Sequence, residues 1–515
     1  MQTKSLIPSI AINKFDYSRF FHKLVNDYLI ALFFFLISGS IAFIFYRKIG
    51  YTHFYQNFIP EAVVWACGHE FAFPKEVVKE LIPFLSGKEH TFDCAKLINI
   101  ELNAEPGAFI SAQPYLTWCV AILWKLFGVS YTAISPLVFI LFGLYGSGIY
   151  LLLRQFLNKL QSTLASIFLC CSPILVYMLP NLRDFSKAPF IIWTLLLLIS
   201  AVKTSSQHHQ RSTWHAILAG FTIALGLGFR ADLFIFFPIG ILFLLIGISS
   251  PKNQTHLRSI LMRGKVILLF TGAFAIVAYP IMKNGGISGV GGMFVMQGMT
   301  EPFSKTLKLG ASGYSTGSAY SDELTLSSIA SQERENISNW DELELSGKRG
   351  FAVTRAMTIS TSNLMKWADL FLADYATQAI KSFTWIIGFP VFIANSGFEF
   401  SNPFLSKNPE SIIFSIYKSI GHPILLVICF SGLFFLLFSQ FIRSHREGYA
   451  LTFLIIFLCT YPAIQFNLRH FFYLEFIWIL CLIYLLSAPK VIKEFINIFN
   501  RYLFYVVAIL IILLG

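Results

Sequence analysis

Tyr28-Leu-Ile-Ala-Leu-Phe-Phe-Phe-Leu-Ile-Ser-Gly-Ser-Ile-Ala-Phe-Ile-Phe-Tyr46 is an apolar run without a single charge. As a helix it is long enough to cross the ~30 Å hydrocarbon core of a bilayer. It follows a basic N-terminus and lacks a small-residue cleavage site, so it reads as a retained first span rather than a removable signal peptide. Similar runs recur at 131–153, 163–180, 188–203, 214–229, 232–249, 265–282, 421–441, 448–465 and 470–488. Another begins near Tyr502 and is shorter than a span where the sequence stops; whether it is incomplete or short stays open. The chain therefore reads as an all-α polytopic membrane protein of about eleven spans.

Composition agrees. Hydrophobic residues make up 56% of the chain and charged residues only 13%, against about 25% charged in soluble domains. The net charge of +12 would suggest nucleic acid as a partner for a soluble protein. Here its placement says otherwise. Lys4, Lys14, Arg19, Lys23, Arg154, Lys159, Lys252, Arg258, Arg263, Arg443 and Arg446 fall at the N-terminus and in alternate turns, while the short connections on the other side hold Arg183, Lys187, Arg230 and Arg469. The positive-inside rule puts the N-terminus in the cytoplasm and two long segments, about 47–130 and 283–420, on the periplasmic, extracellular or lumenal face.

Most of the 27 Asp and Glu residues lie in those two segments. A channel or scaffold has no need of such acid-rich outer loops; an enzyme working at the membrane surface does. In the first loop, Phe58-Ile-Pro-Glu-Ala-Val-Val-Trp-Ala-Cys-Gly-His-Glu70 places Glu61 shortly after the first span, among apolar neighbours that raise a carboxyl pKa. Cys67 and Cys94 are the two cysteines of the outer loops. They are expected to form a disulfide, which an oxidising compartment permits; two free thiols are the alternative. The run 114–128 starts at Pro114, stops at Gly128 and is too short to span, so a helix lying in the interface is expected, with Tyr115, Trp118 and Trp124 at headgroup depth. In the second segment, Gly285-Gly-Ile-Ser-Gly-Val-Gly-Gly292 reads as a flexible loop. Leu364, Trp367, Leu370, Phe371 and Tyr375 recur at helical spacing, which fits either an amphipathic surface helix or part of a small cap. There is no Cys/His metal pattern, so no metal ligand is assigned and a divalent cation is left open as a cofactor.

Charge at the membrane boundary is costly and points to function. Four such places stand out: Glu61; Arg183-Asp184-Phe-Ser-Lys187; Arg230-Ala-Asp232; and Arg469-His470 with Glu475. The Arg230 and Asp232 pair also has a simple structural reading, mutual neutralisation at a helix end.

The serial order of these features resembles the GT-C glycosyltransferases, such as bacterial aminoarabinose transferases and protein O-mannosyltransferases. It consists of a span, a carboxylate in the first outer loop, Pro114-Tyr-Leu through Leu126-Phe-Gly128, Leu182-Arg-Asp-Phe-Ser-Lys187, Gly226-Leu-Gly-Phe-Arg-Ala-Asp232 and Leu468-Arg-His-Phe-Phe-Tyr473. The resemblance covers about 1–280 and 421–490 as architecture. It implies a GT-C-like transmembrane module at 1–282, an outer loop or cap at 283–420 and C-terminal spans at 421–515, in a bacterial inner or plasma membrane. It also implies a polyprenyl-phosphate sugar donor and inverting transfer to a hydroxyl of a glycolipid, polysaccharide or protein. Lys187, Arg230, Arg469 and His470 would hold the donor phosphate; Glu61 or Asp184 would be the base; Asp232, Cys67 and Cys94 would be structural. Many members of the family carry Asp-Glu in the first loop where this chain has Pro60-Glu61, so Glu70, Asp93 and Glu105 remain alternatives to Glu61. A polymerase or ligase of lipid-linked glycans is the nearest alternative function. A transporter is the other, but it would place charges near the midplane and often show paired repeats.

Overall fold

In the computed structural model, residues 17–49, 60–72, 79–97, 101–102, 113–249, 256–283, 301–310, 369–395 and 415–486, with 295, 298 and 489, are described. Among them there is no strand, only one isolated bridge between Thr91 and Ser130. The protein is an all-α polytopic membrane protein.

The main helices in chain order are α1 (Tyr17–Ile49), α2 (Pro60–Ala66), α3 (Pro114–Phe127), α4 (Ser135–Arg154), α5 (Lys159–Cys170), α6 (Pro173–Met178), α7 (Lys187–Thr204), α8 (His209–Leu227), α9 (Phe236–Gly247), α10 (His256–Lys283), α11 (Leu372–Ile387), α12 (Phe389–Asn395), α13 (Ile424–Arg443), α14 (His445–Thr460) and α15 (Phe476–Leu485). Seven stretches among the described residues are long and apolar enough to cross a membrane, by length and composition: Asn26–Lys48, Tyr131–Arg154, Leu182–Thr204, Leu257–Lys283, Ile424–Arg443, His445–Gln465 and Leu468–Leu485.

Three expected spans among the described residues fall outside this set: 163–180, 214–229 and 232–249. The run 163–180 is two helices, because Pro173 has no backbone N–H and cannot continue α5. Ser172 at the break accepts a hydrogen bond from the Leu175 N–H at 3.4 Å and so starts α6. The run 232–249 gives an apolar stretch of intermediate length, Ala231–Gly247. The run from 502 lies outside the described residues, as do Gly285–Gly292.

Close helix contacts depend on small residues. At Gly146 a methyl group would collide with Ser38, so α1 and α4 pack backbone to backbone there. Polar contacts then show how the helix ends are aligned. At one end of the bundle, Arg154 at the foot of α4 grips Asp27 of α1 with two hydrogen bonds of 3.1 and 3.0 Å, and Arg446 of α14 donates to the carbonyl of Ile248 just past α9 at 3.0 Å. The turns that carry Asp184, Arg230 and Arg469 lie at the other end.

The first long loop folds against that second end. Cys67 and Cys94 are joined by a disulfide. Phe84 stacks on Tyr131, whose hydroxyl donates to the Phe84 carbonyl at 2.9 Å. Trp124, expected at headgroup depth, is 1% exposed and donates to the Ser130 carbonyl at 2.7 Å, so it packs against the protein itself. Trp118 stays half exposed and stacks on Phe71. In the second segment residues 369–370 and Leu372–Ile387 are helical, and residues 364–368 of the expected pattern lie outside the described residues. The buried face of α11, Gln378, Ser382 and Trp385, packs into the bundle, with the Ser382 hydroxyl donating to the Cys459 carbonyl at 2.7 Å.

Candidate active site

Three chain turns at the loop end of the bundle supply one polar network. The short helical turn Leu182–Phe185 leads into α7 and carries Asp184, with Lys187 at the first position of α7. The connection after α8 carries Arg230 and Asp232, and the turn Leu468–Phe471 carries Arg469 and His470. Asp232 is the common acceptor. Its Oδ2 receives the Lys187 Nζ at 2.8 Å and the Arg230 Nε at 3.2 Å, and it lies 3.9 Å from the His470 Nδ1. The other arm of Arg230 donates to Asp184 Oδ1. Arg469 donates from Nε to the His470 Nε2 at 3.1 Å, which joins it to the same network.

Burial grades this network. Lys187 and Asp184 are enclosed, at 1% and 0% side-chain exposure, whereas Asp232 keeps 31%. Tyr473 lies beneath Lys187, with the ammonium 5.5 Å from the ring centroid. Such a Lys, desolvated and held by a carboxylate and an aromatic face, is costly to keep in an apolar bundle unless it has work to do.

The N-terminus of α3 is fastened to the same end. The Tyr115 and Leu116 N–H groups donate to the Gly228 carbonyl at 2.9 and 3.2 Å, and the Arg183 Nε donates to the Gln113 Oε1 at 3.1 Å. Gly228 must be glycine, since any side chain would run into the Tyr115 ring.

Glu61 sits apart from this network. It lies on α2, which packs on α3, and is 1% exposed. Neither carboxylate oxygen has a hydrogen-bond partner among the described residues, and no ion pair links Glu61 to the cations. Burial pushes its carboxyl up to about 7, opposed in part by its own backbone N–H. Of the alternatives in the loop, Asp93 is taken up by the Ala95 N–H at 3.0 Å, Glu70 is exposed and Glu105 is outside the described residues. The structure thus brings Asp184, Lys187, Arg230, Asp232, Arg469 and His470 together and leaves Glu61 apart from them, on a helix packed against α3. Gln113 and Tyr473 join the site without having been singled out for it; their signal was position, one residue before Pro114 and within the Leu468–Tyr473 motif. Among the described residues no group of three or more His, Cys, Asp or Glu is placed to hold a metal ion.

Residues 111–279 match the dolichyl-phosphate-mannose-protein mannosyltransferase family. That stretch includes α3 and the Asp184, Lys187, Arg230 and Asp232 part of the network, but neither Glu61 nor Arg469. The resemblance to GT-C glycosyltransferases is supported by this match. No curated protein matches the chain. Among solved structures, the archaeal oligosaccharyltransferase AglB from Archaeoglobus fulgidus, in complex with an inhibitory peptide and a dolichol-phosphate, aligns with 91% of this chain at 16% identity and a TM-score of 0.42. The alignment takes in 52% of AglB, so the chain spans about half of that protein's length.

Proposed function

We propose that this protein is an inverting glycosyltransferase that moves a sugar from a polyprenyl-phosphate donor to a hydroxyl acceptor. The observation that carries the reading is the network at one end of the bundle, where three turns far apart in sequence bring Lys187, Arg230, Arg469 and His470 around two carboxylates. A lipid phosphate has its headgroup at that depth and its tail in hydrocarbon. The match of residues 111–279 to a family named for dolichyl-phosphate-mannose supports the same donor class.

In the reaction, the acceptor oxygen bonds to the anomeric carbon as the bond from that carbon to the phosphate oxygen breaks. The leaving polyprenyl phosphate takes up the bonding pair and gains negative charge, which Lys187, Arg230 and Arg469 stabilise in a water-poor setting. The acceptor proton goes to a general base. Asp184 has one oxygen committed to Arg230, so its role is to aim that guanidinium. Glu61 has no side-chain partner among the described residues and is raised to about 7, which suits a base near neutral pH, and α3 connects its helix to the network. Asp232 holds Lys187 and Arg230 in place. The loop end is assigned to the outer face and the N-terminus to the cytoplasm on the charge pattern, with 283–420 as an outer segment.

Binding of a polyprenyl monophosphate to the purified protein tests the phosphate site. Arg469→Ala should weaken it by about 30-fold or more, the effect of losing one partner of a desolvated charge pair. Unchanged affinity would reduce Arg469 to a helix-end anchor.

A further inference from the structure

One buried carboxylate lies next to the network but outside it. Glu475 closes the short turn Phe472–Glu475 that leads into α15 and is 1% exposed. Its Oε2 accepts the Ser172 hydroxyl at 2.5 Å and its Oε1 accepts the Tyr417 hydroxyl at 2.5 Å. Ser172 and Tyr417 are each 1% exposed as well. The three residues come from separate parts of the chain: the break between α5 and α6, the helical stretch 415–420 at the end of the second long segment, and the turn that follows Arg469 and His470.

Packing repeats the connection. Phe389 meets both Tyr417 and Phe471, with ring centroids 6.3 and 6.0 Å apart, and Trp385 of α11 meets Phe471 at 5.1 Å. Phe471 is the direct neighbour of His470, and Tyr473 of the same turn lies under Lys187. A carboxylic acid buried in an apolar bundle is costly, and a well-packed hydrophobe generally stabilises such a position better. Both of its oxygens are nonetheless satisfied by groups that belong to other elements, which is what a joint between elements requires.

We propose that Glu475 is a positioning residue. By binding Ser172 and Tyr417 it fixes the 468–475 turn, which sets His470 and Tyr473 against Lys187 and Asp232, and it ties the end of the second long segment to the donor site. The functional half of this proposal rests on reading that network as the donor site.

Two readouts test it together: the donor KM and kcat of sugar transfer, and amide hydrogen exchange across 468–475. Glu475→Ala should raise the donor KM about tenfold, as expected for loss of hydrogen bonds to a charged group, with kcat per folded molecule changed by no more than about twofold. Exchange across 468–475 should speed up. Glu475→Gln, which keeps an acceptor oxygen, should recover part of the KM, and Tyr417→Phe should shift both readouts in the same direction to a lesser extent. A variant that merely lowers the folded fraction reduces kcat at unchanged KM, and that result with unchanged exchange overturns the proposal. If the wild-type protein transfers no sugar from any polyprenyl-phosphate donor, the proposed function falls and exchange alone decides the joint: faster exchange in Glu475→Ala upholds it, wild-type exchange overturns it. Should Glu475→Ala fail to fold, Tyr417→Phe removes a single hydroxyl and carries the same comparison.

Discussion

Asp232 gathers Lys187 and Arg230 on one oxygen, while Asp184 claims the other arm of Arg230. Sequence proximity suggested the Arg230 and Asp232 pair, and it is present. The partners that matter more are remote: Lys187 and Asp232 belong to different helices, and His470 arrives from the far end of the chain. Spacing along a chain says nothing about such pairs, because they depend on which helix ends meet. At Glu61 the reverse holds. Its apolar neighbours in sequence already implied desolvation, and in the fold its carboxyl is raised to about 7 with no partner among the described residues. A base must be ionised to accept a proton, so below about pH 7 the transfer rate should rise by about tenfold per pH unit and level off above it. Glu61→Gln keeps size and removes the proposed base. It should lower turnover by about 10²–10⁴-fold and flatten that pH dependence, with donor binding nearly intact. Near-normal turnover in Glu61→Gln, with loss in Asp184→Asn, would move the base to Asp184.

The helices were legible in proportion to how strongly hydropathy alone dictates them. Long apolar runs such as those of α1, α4 and α13 are helices where the pattern put them. Hydropathy does not register a hydrogen-bonded break, so Ser172-Pro173 was read through as part of one span, although it supplies the hydroxyl that holds Glu475. Nor does it separate lipid from protein as the apolar surrounding. The burial of Trp124 against the first loop was not legible, because an exposed interfacial Trp and a buried Trp with a carbonyl partner have the same sequence signature. The second long segment follows α10, whose C-terminal end carries it away from the end where Asp27 and Arg154 meet. A reactive cysteine introduced by Tyr320→Cys should therefore be labelled by an impermeant reagent from the face opposite the N-terminus. Labelling from the N-terminal face alone would reverse the assigned orientation.

At the scale of the molecule, two opposite ends do different things. One is tied by Arg154 with Asp27 and by Arg446 with the Ile248 carbonyl, contacts that secure helices to each other. The other collects charges from turns near 184, 230 and 469, receives the disulfide-bonded first loop through α3, and is joined to the second segment through Tyr417. Alternating apolar runs made the all-helical membrane architecture readable from sequence, and the scarcity of cations on that end made the few present there conspicuous. Apart from the neighbours Arg230 with Asp232 and Arg469 with His470, which of them touch was not readable, since Lys187 with Asp232 and Arg230 with Asp184 are each more than forty residues apart. On the proposed function, this end splits a polyprenyl-phosphate sugar. The most direct measurement of that splitting is release of free polyprenyl phosphate from a panel of polyprenyl-phosphate sugars by the purified protein in lipid nanodiscs, with Lys187→Met and Arg230→Ala alongside. The account predicts release with at least one donor, inversion at the anomeric carbon of the product, and a loss of about 10²-fold or more in each variant. Release that persists unchanged in both variants, or no release from any donor in the panel, would contradict it.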